Sequence, residues 1–473
     1  MGLNLASQVT SFKLSNGMTW LLVYRPKIPV FSGMVMVRAG GADEVNGKTG
    51  LAHIFEHMAF KGSKEIGTKN FAKEAPILKE IAKVGRAMSE EMQKEKPDPK
   101  IIQEDRQKIQ ELTQEENKYV VKNQVWETLS RNGAEDLNAF TSKDATGFHA
   151  SMPVTKFPLW AHLFSQMVFE PVMREFYQER DVVMEERRLR YDNSPQGYLF
   201  EEMIKTAFPS GPYSWSPIGH VKDLVGLTME DAENFHKHYY TPSNITGVLV
   251  GDITLSTAKT ELEKTFGKYS GPARQKEPVF PDSSFQGEKR KTIFFPAEPY
   301  LVMAYHKPKA PSQQDYIFDI LDNLLCEGRT GRLYQKLVKE ERIASSINCT
   351  SGFPGSRGDN LFVIMAEPIK GNSLETLEKS IEDEIEVMVD NLKQSELEKV
   401  REAVLYYFVW DLENNMQLAE QLSSAQAILK DWRYVANYTK VIQSITSDEI
   451  EKTIKKYFTK DNRVVVYRLR GKR

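Results

Sequence analysis

The sequence of this chain repeats itself once. Leu227-Thr228 opens a helical stretch that runs to Tyr239-Tyr240; Thr241-Pro-Ser-Asn244 then turns into the strand-like run Ile245–Asp252. Ile445-Thr446 opens the same series, with a helix to Tyr457-Phe458, a turn at Thr459-Lys-Asp-Asn462 and a strand-like run Arg463–Tyr467. Thr228, Tyr239, Thr241 and Asn244 match Thr446, Tyr457, Thr459 and Asn462 at a single offset of 218 residues. One unit of that size used twice means two copies of a domain, not a solenoid of short repeats. The length of 473 residues allows this, at roughly 150 residues or more per domain. The stretch 271–288, rich in proline, glycine and charge, is the natural linker between the copies.

Each copy mixes strands and helices, so the expected class is α/β in the broad α+β sense. In the first copy, Val9–Leu14 and Met18–Tyr24 flank Asn16-Gly17, a strong hairpin signal, and Gly33–Arg38 reads as a third strand. The second copy places strands at 292–306 and 343–367 around a helix that ends near Gly328–Leu337.

Only the first copy carries an evident chemical motif. Gly50-Leu-Ala-His53-Ile-Phe-Glu56-His57-Met-Ala-Phe60 reads as a helix. Positions four apart lie on one helical face, so His53 and His57 stack one turn apart, with Glu56 close to that face. Leu51, Ile54, Phe55, Met58 and Phe60 would bury the rest. Polar groups on a buried helix are costly unless paired. A zinc ion held by two neutral imidazoles would pair them and leave Glu56 to act on a water. The order H-x-x-E-H is the inverse of H-E-x-x-H and is a zinc-peptidase signature. A histidine pair satisfied within the core is the plain alternative. A third ligand is available in Phe176–Arg190, strongly helical, where Glu179 and Glu186 are seven apart and share a face. His149, alone on a predicted strand, reads as structural rather than as a ligand. Arg187, Arg188 and Arg190 read as a solvated face.

Composition excludes other classes. A formal net charge of −2 gives no electrostatic case for nucleic acid. No run of eighteen apolar residues predicts a membrane span. Cys326 and Cys349 are too few for a cysteine-type zinc site, and they read as two small buried hydrophobes. The first residues lack the basic and apolar regions of a signal peptide, so the expected compartment is cytoplasmic, or periplasmic if a signal has been removed. From about 75 to 122 the chain is rich in Lys, Glu and Gln, with Pro97 and Pro99 in the middle. Ile77, Leu78, Ile81 and Val84, then Ile101, Ile102, Ile109 and Leu112, recur at helical spacing and predict a helical hairpin inserted in the first domain. The segment 191–225 reads as loop-rich.

Four stretches together resemble the M16 (pitrilysin-like) zinc peptidases, a family that includes mitochondrial processing peptidase and insulysin. They are Gly50–Gly62, Asn138-Ala-Phe-Thr-Ser, Glu179–Glu186 and Gly331-Arg-Leu-Tyr-Gln-Lys-Leu337. The resemblance implies two homologous domains, each a mixed, largely antiparallel sheet flanked by helices, closing as a clamshell. It implies a catalytic domain at 1–270 and an inactive one at 289–473. By position, His53, His57 and Glu186 would ligate one zinc ion per chain, with Glu185 the fallback for Glu186. Glu56 would be the general base, and Glu179 the carboxylate behind the ligands. Asn138, Ala139 and Phe140 would take a peptide as an added strand. Arg357 is the one match for the family's Arg and Tyr contacts to substrate; no tyrosine accompanies it in 344–367. The implied activity is zinc-dependent hydrolysis of peptides or small unfolded polypeptides inside a chamber, by a subunit of a homodimer or of a heterodimer with a relative. The alternative is a non-catalytic, peptide-holding or scaffold subunit of the same fold.

Overall fold

The computed structural model describes residues 5–272, 277–282 and 284–473. Met1–Asn4, and residues 273–276 and 283 of the expected linker, lie outside the described residues. The chain forms two compact units.

The first unit holds a six-stranded sheet. Its strands are β1 (Val9–Lys13), β2 (Thr19–Tyr24), β3 (Val30–Val37), β4 (Glu135–Thr141), β5 (Thr146–Pro153) and β6 (Ile245–Gly251), in the order β1-β2-β6-β3-β5-β4. All neighbours run antiparallel except β2 and β6. The second unit holds β7 (Lys289–Phe295), β8 (Tyr300–Lys307), β9 (Ala344–Phe353), β10 (Asn360–Pro368) and β11 (Arg463–Arg470), in the order β7-β11-β8-β10-β9. Here β7 and β11 are the parallel pair. Apart from the added β1, the two sheets share one topology, as the repeat requires.

The repeated residues make the same contacts in both units. Thr228 and Thr446 each cap a helix with a reciprocal box: the hydroxyl accepts from Asp231 or Glu449 N–H, and the threonine's own N–H donates to that residue's carboxylate. Asn244 Nδ2 donates to Tyr239 O and Arg38 O, at 2.8 and 3.2 Å. Asn462 Nδ2 donates to Tyr457 O and His306 O, at 2.8 and 2.7 Å. Each asparagine thus ties the end of the repeated helix to the strand beside β6 or β11.

The units differ from two contiguous halves in one respect. Residues 188–215 belong to the second unit and 414–432 to the first. Both exchanged segments carry a helix. Pro195–Ala207, capped by the Ser194 hydroxyl with Pro195 in the first turn, packs on β7 and β11. Asn415–Ser424, capped by Asn414, packs on β3 and β6. The compact units therefore do not coincide with the expected bounds 1–270 and 289–473, and 191–225, expected as loop, carries the helix Pro195–Ala207. Periodicity shows that a helix has an apolar face; it does not show which sheet will cover it.

The cysteines also depart from expectation. Cys326, at the end of helix Gln313–Cys326, is disulfide-bonded to Cys349 on β9, with Cα atoms 5.6 Å apart. The inserted hairpin is present as helices Phe71–Met92 and Pro99–Glu116, packed on each other. At its base Arg174 Nε donates to Glu74 Oε1 at 2.5 Å, with both side chains at most 1% exposed. Glu116 is buried there too, its carboxylate without a hydrogen-bond partner among the described residues, and burial with the nearby Glu74 and Glu175 pushes its pKa up to about 8.

Candidate metal centre

The helix Leu51–Ala59 buries Leu51, Ala52, Ile54, Phe55, Met58 and Ala59 and leaves His53, Glu56 and His57 partly exposed. Phe55 anchors it, stacking on His236 and lying 4.3 Å from the Tyr240 ring. Its start is tightly specified. Gly50 has φ +94°, and a Cβ there would lie 2.6 Å from Leu224 and 2.7 Å from the Ile218 carbonyl, so only glycine fits. Glu44 Oε1 accepts from Ala52 N–H at 2.9 Å, placing a negative charge at the positive end of the helix. Thr49 Oγ1 donates to Asp223 at 2.6 Å and accepts from His220 N–H at 2.8 Å.

Helix Phe176–Arg187 packs against this one and supplies Glu179 and Glu186. Glu186 Oε2 is 3.7 Å from His53 Nε2 and 3.6 Å from His57 Nε2. Ligand atoms of these three residues all lie within 4.8 Å of one another. Bonds of 2.0–2.1 Å at tetrahedral angles place ligand atoms about 3.3–3.5 Å apart, and the two imidazole–carboxylate distances lie within tenths of an ångström of that spacing. Two imidazoles and one carboxylate also leave a coordination position open, as catalytic zinc sites do. The side chains are 12–23% exposed, so the site is reachable from solvent.

The surroundings hold a positive charge well. Glu179 Oε2 lies 3.3 Å from His57 Nδ1, on the far side of the ring from Glu186. Lys61 Nζ donates to Glu179 Oε1 at 2.5 Å and to Glu175 at 3.0 Å. Burial opposes a charge on His57, yet the hydrogen bonds to Glu179 and Glu186 and the charge of Glu56 outweigh it and push the pKa up to about 9. Burial likewise works against ionised Glu179, but His57 and Lys61 hold its carboxyl below the ordinary range. Glu56 sits beside the two histidines, and Thr141 Oγ1, from β4, donates to its Oε2 at 2.6 Å.

Of the residues singled out in the sequence, His53, His57 and Glu186 come together, with Glu56 alongside and Glu179 behind His57. Glu185 is exposed and outside the group. Asn138, Ala139 and Phe140 lie on β4, at the sheet edge, with Asn138 exposed. His149, on β5, is outside the group, and burial lowers its pKa. Arg357 lies in the second unit and is only 6% exposed; its backbone N–H and that of Gly358 donate to the Tyr213 hydroxyl. Arg187 is not on a solvated face. It is 5% exposed and Nη1 donates to Gly219 O at 2.6 Å, tying the end of the Glu186 helix to the loop that meets Thr49 and Gly50. Three contributors escaped the sequence reading: Lys61, Arg187 and Thr141. Only Thr141 left a trace, since it shares a strand face with Leu137 and Ala139.

Comparison with known proteins identifies the family of the chain. The model described as "Insulinase (Peptidase family M16)" matches residues 21–96 and 111–219, breaking at the far end of the inserted hairpin. That described as "Peptidase M16 inactive domain" matches residues 226–404. The zinc protease PqqE of Helicobacter pylori is 24% identical over 97% of this chain and 92% of its own. A protease structure from Helicobacter pylori superposes with a TM-score of 0.81 at 23% identity, covering 98% of this chain and 99% of that one. The periplasmic protease PqqL of Escherichia coli superposes over 98% of this chain but only 48% of its own, with a TM-score of 0.70 and 15% identity.

Proposed function

Because the chain belongs to peptidase family M16, we propose that it is a zinc-dependent endopeptidase whose single active centre lies in its first unit. The observation that carries this is the meeting of His53, His57 and Glu186 beside Glu56. His53 Nε2, His57 Nε2 and a Glu186 oxygen would hold the ion. When bound, zinc supplies Lewis acidity, making a water easier to deprotonate and a peptide carbonyl easier to attack. Glu56 takes the proton as the water oxygen bonds to the scissile carbon, and delivers it to the amide nitrogen as the C–N bond breaks. Glu179 accepts from His57 Nδ1–H and so fixes the tautomer that offers Nε2; Lys61 keeps Glu179 ionised and in place. The free side of β4, at Asn138–Phe140, offers backbone groups to which an extended peptide can add as a strand, so unfolded segments are the substrate class.

Two further assignments belong to this reading. The Cys326–Cys349 disulfide suits an oxidising compartment such as the periplasm. The match to about half of PqqL suits a chain that works beside a second one of similar size.

The test is digestion of a peptide library by the purified chain. Cleavage abolished by a chelator, restored by zinc, and absent in Glu56→Gln supports the proposal. Cleavage that survives chelation, or full activity in Glu56→Gln, rejects it. A chain that carries no zinc and cleaves nothing returns the scaffold reading.

A further inference from the structure

Thr141 is the last residue of β4, and its hydroxyl reaches Glu56 Oε2 at 2.6 Å. Its backbone is firmly held. Thr141 pairs with Thr146 on β5, and the intervening turn is closed by Ser142 N–H to Ala145 O at 2.9 Å. Ser142 Oγ accepts from Asp144 and Ala145 N–H. The turn is pinned to the loop after β3 by Gly41 N–H to Ser142 O, at 3.0 Å, and Ala42 N–H to Lys143 O, at 2.7 Å. The same loop continues into Glu44, which caps the helix that carries Glu56. Hydroxyl and carboxylate are therefore mounted on two elements tied to one loop, and their spacing does not depend on a mobile surface side chain.

A carboxylate that moves a proton must present an oxygen in a fixed direction. Glutamate is long, and its last torsion is broad. A donor on one oxygen fixes the plane and with it the aim of the other. We propose that Thr141 is the positioning residue of the Glu56 base, and that it joins the aim of the base to the strand on which a peptide is laid. The proposal rests on the peptidase reading above. One residue has two tasks: its backbone ends the strand that substrate extends, and its side chain orients the group that handles the proton. A hydroxyl there only to satisfy a buried carboxylate would have neither consequence for turnover.

The two accounts separate by measurement on zinc-loaded Thr141→Val, Thr141→Ser and Glu56→Gln chains with one peptide. Valine keeps the shape and the backbone pairing but has no donor, whereas serine keeps the donor. The valine variant is expected to lose kcat by about tenfold with KM changed less than about twofold, and serine to restore kcat to within about twofold. Zinc per chain and melting temperature should match wild type in both. Turnover of Thr141→Val within about twofold of wild type overturns the proposal, as does serine as slow as valine, or a loss confined to KM. If in the same assay wild type cleaves and Glu56→Gln does not, such a result removes Thr141 alone. Activity in Glu56→Gln, or none in wild type, overturns the peptidase reading and this inference with it.

Discussion

The two units treat the same helix in opposite ways. Helix Leu51–Ala59 follows β3 and helix Gln313–Cys326 follows β8, the strands that lie beside β6 and β11 in their sheets. Counted from their caps, Gly50 and Ser312, the first helix has His53, Glu56 and His57 where the second has Asp315, Phe318 and Asp319. In the second unit the cation is built in. Lys307, fully buried on β8, is ion-paired with Asp315. Tyr438 O–H donates to Asp319 at 2.9 Å and Tyr434 O–H to Asp315 at 3.4 Å. Burial and the charge of Asp315 push the Asp319 pKa up, and Lys307 restrains it. The first unit instead gathers imidazoles and carboxylates with the geometry to take an ion from solution. One scaffold occurs twice; in the second copy Lys307 is paired with Asp315, and Phe318 stands at the position that Glu56 holds in the first.

This contrast can be broken in graded ways. The largest effect is expected in the first unit, where Glu56→Gln should lower kcat by about 10²–10⁴-fold with zinc per chain unchanged, as read by turnover and metal analysis. In the second unit, Lys307→Met should strand the acids in the core and cost about 3–5 kcal/mol in denaturant unfolding, with zinc content unaffected. An equal loss of zinc would mean that the two copies are not independent in this respect. Glu179→Gln removes the carboxylate behind His57 and should weaken zinc about 10–100-fold, as measured by competition with a chelator.

The smallest effect concerns Glu116, a buried acid that, unlike Asp315, has no cation paired with it among the described residues. Its folded pKa is about 8 against an ordinary 4.5, so between these values the folded chain keeps a proton that the unfolded chain releases. Its contribution to stability therefore falls as pH rises through that window. Glu116→Gln should melt several degrees above wild type at about pH 8 and level with it at about pH 5, and equal melting at both would refute the shift.

How much of this could be read from the sequence depends on the range of each signal. The histidine pair, Glu56, the hairpin around Pro97 and Pro99 and the repeated Thr–Asn units are local patterns with fixed spacing: the fold sets the first three residues on one partly exposed side of a helix, forms the hairpin and repeats the Asn contacts in both units. Helix Pro195–Ala207 was lost among prolines and glycines, although Ser194-Pro195 is a usable start signal. Its placement on the second sheet, and that of Asn415–Ser424 on the first, is set by packing between segments far apart in sequence. The same holds for Arg187, Lys61 and Lys307. Nothing local distinguishes a buried, paired cation from a solvated one. The cysteines, 23 residues apart, gave no spacing motif and met only through the fold.

In the proposed centre two helices hold one ion jointly, one with His53 and His57 and the other with Glu186. Metal analysis of the wild-type chain beside Glu186→Gln tests it most directly. The expected result is one zinc per wild-type chain and binding weaker by at least about tenfold in the variant. A wild-type chain that takes up no zinc, or a variant that holds zinc as tightly as wild type, would contradict it.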